Sequence, residues 1–222
     1  MKKNNTLKNF SKLDYINEAV DFLEDRIVGY TRKNKIINIA LSGGSTPIPI
    51  LQKLALRKIS WDKIKFYIVD ERCVSASDIA SNYKTLNECF FKLINTEVSL
   101  VYVEELGGEV SAQKYNEEIK NIQFDLILLG MGNDGHTASL FPDTIALDEK
   151  LNSVVYNEVP SEKYNRITFT YLVLLDTTEI IFLIRGEQKR ELLELIFETN
   201  DKNYPVTKII NKGKNITWLV EE

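Results

Sequence analysis

Only one histidine occurs among the 222 residues, and only two cysteines. A chain so poor in both cannot gather the His and Cys clusters that hold structural metals, and no metal or other cofactor is expected. Cys73 and Cys89 read as reduced thiols of a cytoplasmic protein. Equally absent is any apolar run near the roughly 20 residues that a membrane-crossing helix needs. Residues 1–9 are polar and basic with no apolar stretch behind them, which argues against export. Surplus positive charge is missing too. The formal net charge is −4, which speaks against a nucleic-acid surface while leaving room for a local Lys and Arg cluster around a small anion. No repeat, low-complexity tract or long linker interrupts the chain, and no obligate protein partner is evident. With 44% hydrophobic residues, residues 1–222 are expected to form one α/β domain.

What is present alternates. Residues 14–33 carry Tyr15, Ile16, Ala19, Val20, Leu23, Ile27 and Val28 at the spacing of one helix face. Residues 36–41 form a short β-branched strand, followed by the loop Ser42-Gly43-Gly44-Ser45-Thr46-Pro47 and a helix over 48–56. Thr46 is placed to cap that helix and Pro47 to occupy its first turn. A second strand, 64–69, ends in Asp70-Glu71-Arg72, and 81–93 reads as a helix. Residues 98–103 read as a strand, 110–119 as a helix, and 124–129 as a strand buried on both faces. Beyond Pro142, residues 154–156, 167–175 and 180–184 read as strands near an edge or in a second sheet. A helix over 187–198 follows, and a strand over 216–220 contains Trp218. Strands alternating with helices imply a mostly parallel sheet, flanked by helices, with a small additional mixed β region. Ligands of such sheets bind at the carboxyl ends of strands.

Three of those ends carry distinctive chemistry. In Ser42, Gly43, Gly44, Ser45 and Thr46, two glycines let backbone approach a ligand, and the following helix start favours an anion such as phosphate. Taken alone, the same stretch also fits an ordinary strand-to-helix turn. Asp70 can accept hydroxyl hydrogens and Arg72 can hold an oxyanion bidentately, although a solvated charged loop would look alike. The third end places His136, the one side chain whose type titrates near neutrality, between Gly135 and Thr137, two positions after Asp134. An imidazole, a carboxylate and exposed amides in one tight turn suit proton transfer. Gly130, Gly132 and Gly135 also spell the dinucleotide pattern G-x-G-x-x-G. Pro142 arrives too early for the long helix that pattern requires, and Asp134 would repel a pyrophosphate, so the match is read as coincidence.

The segments Leu41-Ser42-Gly43-Gly44-Ser45-Thr46-Pro47, Asp70-Glu71-Arg72 and Gly130-Met131-Gly132-Asn133-Asp134-Gly135-His136-Thr137-Ala138-Ser139-Leu140-Phe141-Pro142 resemble, in order, the signatures of the 6-phosphogluconolactonase family. The likeness extends through Arg166-Ile167-Thr168-Phe169-Thr170 and Gly186-Glu187-Gln188-Lys189 to Trp218. Glucosamine-6-phosphate deaminases share the first loop and the Gly-x-Asp-Gly-His core, but diverge where this chain reads Thr137-Ala138-Ser139-Leu140-Phe141-Pro142. The chain departs from the lactonase pattern at Tyr171-Leu172-Val173-Leu174-Leu175, where the family carries a Leu-Pro pair and then an asparagine.

The resemblance implies a modified Rossmann-like fold of the deaminase and lactonase type. It also implies hydrolysis of 6-phospho-D-glucono-1,5-lactone to 6-phosphogluconate in the oxidative pentose phosphate pathway. Under it His136 is the general base, Asp134 its orienting carboxylate and Arg72 a catalytic cation. Asp70 accepts sugar hydroxyls, and Gly132 lies at the substrate. Ser42, Gly43, Gly44, Ser45 and Thr46, with Arg166 and Lys189, share the phosphate, Arg166 and the loop being its first-choice anchors. A deaminase/isomerase of glucosamine 6-phosphate and a non-catalytic sugar-phosphate binder are the alternatives.

Overall fold

The computed structural model describes residues 4–34 and 36–222; Met1, Lys2 and Lys3 of the polar N-terminal stretch lie outside them. In chain order the regular elements begin with β1 (Asn5–Phe10), α1 (Tyr15–Lys33), β2 (Ile37–Leu41), α2 (Pro47–Leu54), β3 (Ile64–Ile68), β4 (Asp70–Arg72) and α3 (Asn82–Leu86). They continue with α4 (Gly107–Ile119), β5 (Leu126–Leu129), β6 (Val154–Asn157), β7 (Arg166–Phe169), α5 (Tyr171–Asp176) and β8 (Glu179–Ile184). The last are α6 (Glu187–Thr199), α7 (Pro205–Lys212) and β9 (Ile216–Glu221).

Six strands form a sheet in the order β1-β9-β8-β5-β2-β3, with every neighbouring pair parallel. The inner strands β5 and β8 are buried along their whole length, as strands covered by helices on both faces must be, which accounts for the apolar run of β5 and for that of β8 after its first residue, Glu179, which Arg26 and Tyr30 bond. α1 turns Tyr15, Ala19, Val20, Leu23 and Ile27 inward at helical spacing. Trp218 of β9 is fully buried and stacks on Phe182 of β8, centroids 4.0 Å apart and planes within 9°. Such a pair contributes about 0.5–1.5 kcal/mol beyond area burial. Its indole N–H donates to Asn5 Oδ1 at 2.9 Å, tying in the edge strand β1.

β4, β7 and β6 form a second, antiparallel sheet. One residue joins the two sheets. The Val69 N–H donates to Leu41 O of β2, while its carbonyl accepts from the Phe169 N–H of β7. A single hydrophobic cluster of buried residues runs through both sheets.

Several expectations are corrected. β1 and α7 were not foreseen. Residues 98–103 form no strand, because Ser111 Oγ of α4 bonds both the N–H and the carbonyl of Val103 in place of a neighbouring strand. The stretch 167–175 splits: β7 ends at Phe169 and Tyr171 opens α5, which buries Tyr171 and Leu174 on one side. β8, expected near an edge, lies inside the parallel sheet. The helix expected over 81–93 is α3 followed by a π-helical turn, Asn87–Phe91.

The order β8-β5-β2-β3 positions the site. From β2 the chain passes to β3 on one side, whereas β5 pairs on the other, so the winding reverses between β2 and β5 and opens a crevice at their carboxyl ends.

Candidate active site

The loop after β5 is folded on itself by glycine. Gly132 N–H donates to His136 O at 2.9 Å, and Gly135 N–H, with φ +73°, donates to Gly132 O at 3.1 Å. Thr137 Oγ1 donates to Gly130 O at 2.8 Å. In this turn Asp134 Oδ1 accepts from the His136 backbone N–H at 3.1 Å and stands 2.6 Å from ring Nδ1. Burial pushes the Asp134 carboxyl up, but the hydrogen bond and charge of His136 outweigh it, and the group ends below the usual aspartate range. The carboxylate beside Nδ1 makes that nitrogen the donor and leaves Nε2 with its lone pair free. No helix follows Gly135. A tight turn from Thr137 to Leu140, with Ala138 at φ +50°, takes its place, which removes the dinucleotide reading.

Beside it, the loop after β2 lies against Asn82. A Cβ at Gly43 would sit 2.0 Å from Asn82 Oδ1, so only glycine fits. Gly44, at φ +100°, faces open space. Pro47 opens α2 as expected, but Thr46 makes no side-chain capping bond, because its own backbone already has helical angles. Pro47 and Pro49 carry no N–H, so the start of α2 offers only the Thr46 and Ile48 N–H groups, without a side-chain cap, and Ser42 Oγ is buried with no hydrogen-bond partner among the described residues. Both favour an anion in the crevice.

β4 contributes alternating side chains. Buried Asp70 accepts from Ser139 Oγ at 2.7 Å, and its carbonyl accepts from Asn82 Nδ2 at 2.7 Å. Glu71 turns away and accepts from the N–H groups of Arg72, Asn82 and Tyr83, each at 2.7 Å, and from Ser81 Oγ at 3.0 Å. Burial holds its carboxyl above the usual glutamate range, with those bonds pulling the other way. One Arg72 nitrogen donates to Ala80 O at 2.7 Å, while its buried Nε is unpartnered among the described residues. Arg72 pairs across the sheet with Arg166. Arg166 is buried and donates to Glu162 at 2.7 Å and to the Tyr164 carbonyl. Burial, then repulsion from Arg72, lowers its pKa. Lys189, in the first turn of α6 beyond β8, has its ammonium pushed below the usual lysine range by burial.

Together these ends enclose a cleft of about 340 Å³. Ser42, Gly43, Gly44, Ser45, Thr46, Asp70, Arg72, Gly132, His136 and Lys189 all line it. Asp134 supports His136 from behind. Arg166 does not line the cleft but stands behind Arg72. Asn82 and Ala138 also line it and were not anticipated; a lone Asn at a helix start and an Ala inside a motif carry no chemical signal. A larger recess between α4 and β6, about 740 Å³, presents Glu109, Glu117, Asp148 and Glu149, which would repel an anion. Among the described residues no group of three or more His, Cys, Asp or Glu could hold a metal ion, and no helix is long and apolar enough to cross a membrane.

Fold and cleft define an α/β protein with a His–Asp pair beside an anion-receptive helix start, at a reversal of sheet winding. Residues 11–218 match the family described as glucosamine-6-phosphate isomerases/6-phosphogluconolactonase, and the chain belongs to that family. It is 33% identical over 213 residues to a 6-phosphogluconolactonase of Thermotoga maritima, covering 93% of this chain and 94% of that protein. It is 32% identical over 228 residues to the 6-phosphogluconolactonase of Haemophilus influenzae, covering 96% and 97%. The crystal structure of the Thermotoga maritima 6-phosphogluconolactonase superposes with a TM-score of 0.89 at 30% identity, covering 98% of this chain and all of that one.

Proposed function

We propose that this chain hydrolyses 6-phospho-D-glucono-1,5-lactone to 6-phosphogluconate. The observation that carries the reading is one cleft lined by a carboxylate-oriented imidazole, by the cations Arg72 and Lys189, and by the loop of residues 42–46. With Nδ1 bound to Asp134, Nε2 takes a proton from water as the water attacks the lactone carbonyl carbon. The carbonyl π bond becomes an oxyanion, which Arg72 stabilises. When the tetrahedral species collapses, the C–O bond to the ring oxygen breaks and the imidazolium returns its proton to that oxygen. Water has been added, and no covalent enzyme intermediate forms.

Lys189 and the start of α2 take the phosphate, and Asp70, fixed by Ser139, accepts sugar hydroxyls. Arg166 adds its charge from behind Arg72. The protein works as a cytoplasmic catalytic unit without a cofactor or obligate partner, a setting that the unpaired thiols Cys73 and Cys89 suit.

His136→Asn tests the proposal. Acid release from freshly generated lactone, above the spontaneous rate, should drop about 10²–10⁴-fold in kcat. Turnover near that of the unaltered protein would remove His136 from the chemistry. Ammonia release from glucosamine 6-phosphate in its place would transfer the site to the isomerase branch of the family.

A further inference from the structure

Asp134 fixes one edge of the imidazole, but a single hydrogen bond lets a ring pivot about it. Its face is fixed by Phe141. The two ring centroids lie 4.1 Å apart with planes 30° from parallel. Phe141 is itself held in place: it is buried, its carbonyl accepts from Thr144 Oγ1 at 2.8 Å, and Pro142 disfavours helical backbone at it. The Arg166 guanidinium carbon stands over the same phenyl ring, 5.6 Å from its centroid. That guanidinium is anchored by Glu162 and the Tyr164 carbonyl and does not reach the cleft. Arginine, phenyl and imidazole thus form a continuous stack from the second sheet to the reacting nitrogen.

We propose that Phe141 is a positioning residue for His136. It holds the ring plane in which Nδ1 meets Asp134 and Nε2 is free to accept a proton, and Arg166 serves by steadying Phe141. The kinetic part of this inference rests on the hydrolytic reading above. The spectroscopic part does not.

Because His136 is the only histidine, long-range ¹H–¹⁵N correlations of its ring nitrogens report its tautomer and motion without overlap. The unaltered protein and Phe141→Tyr should both give the single Nδ1–H pattern with similar kcat. Phe141→Leu, which keeps an apolar side chain but removes the flat face, should give averaged or broadened ring signals. Its kcat should fall about 10- to 100-fold, as expected for an ångström-scale misplacement, with KM changed less than about threefold. Single-tautomer signals and unaltered kcat in Phe141→Leu would overturn the proposal. Should Phe141→Leu not fold by circular dichroism, Phe141→Met takes its place with the same two outcomes, and Arg166→Met tests the arginine's part. A fall in kcat with loosened ring signals supports the stack; a raised KM with kcat and ring signals intact overturns Arg166's part in it. If the unaltered protein shows no lactone hydrolysis, the functional reading falls, and the ring spectra of the same variants still decide whether Phe141 orients the imidazole.

Discussion

Adding one methyl group at Gly132 tests how closely the chemistry depends on ring placement. An alanine Cβ there would lie 2.3 Å from both Cε1 and Nδ1 of His136 and 2.7 Å from Asp134 Oδ1, whereas ordinary contact begins at 3.4 Å. Gly132 is not in the left-handed region, so alanine strains no backbone there and the contact is relieved at the side chains. The imidazole must retreat by about an ångström, which stretches the 2.6 Å bond to Asp134 beyond useful range. A displacement of that size costs about 100-fold in rate, close to 2.7 kcal/mol of barrier. KM should move little, because residues 42–46 and Lys189 are untouched. Overpacking of a partly open turn should cost the fold at most about 1–3 kcal/mol. Continuous titration of acid released from fresh lactone, corrected for spontaneous hydrolysis, gives kcat and KM, and a thermal melt gives stability. Turnover within about threefold of the unaltered protein, in a variant with an unchanged melt, would refute both the contact and the assignment of His136 as base.

Two more substitutions probe the surroundings. In Glu71→Gln, an amide nitrogen replaces an oxygen that accepts from backbone N–H, leaving at least one buried donor unmet. Denaturant unfolding should show a loss of about 1–3 kcal/mol, and an unchanged midpoint would show that the carboxylate is dispensable. Lys189→Gln should raise KM for the phosphorylated lactone roughly 10- to 100-fold with kcat nearly constant. A KM that does not move would leave the phosphate to the loop of residues 42–46 alone.

The sequence is readable where local chemistry and tertiary placement agree. Residues 124–129 could hardly be anything but a covered strand, and a glycine turn with a carboxylate two residues before the histidine presets the hydrogen bond found between them. The polar strand β1 was invisible because it is an edge strand, held by β9 alone and mostly solvent-facing, with no apolar alternation to betray it. Tyr171-Leu172-Val173-Leu174-Leu175 is too short and too evenly apolar for its period to separate helix from strand, and only its packing made it α5. Arg166 shows the limit of motif reading. Pairing across β4 and β7 sets it opposite Arg72, yet only Arg72 reaches the cleft, a difference that depends on the contacts Arg166 makes with Glu162 and Tyr164 in the segment just before β7. Asn82 seats Gly43 and steadies Asp70 from the start of another helix, a role written only in three dimensions.

Val69 gives its N–H to one ladder and its carbonyl to the other, so one residue links β2 of the first sheet to β7 of the second. Swinging the sheets apart at this corner would break one of those two bonds. The spacing between His136, after β5, and Asp70, on β4, is therefore set by the fold itself.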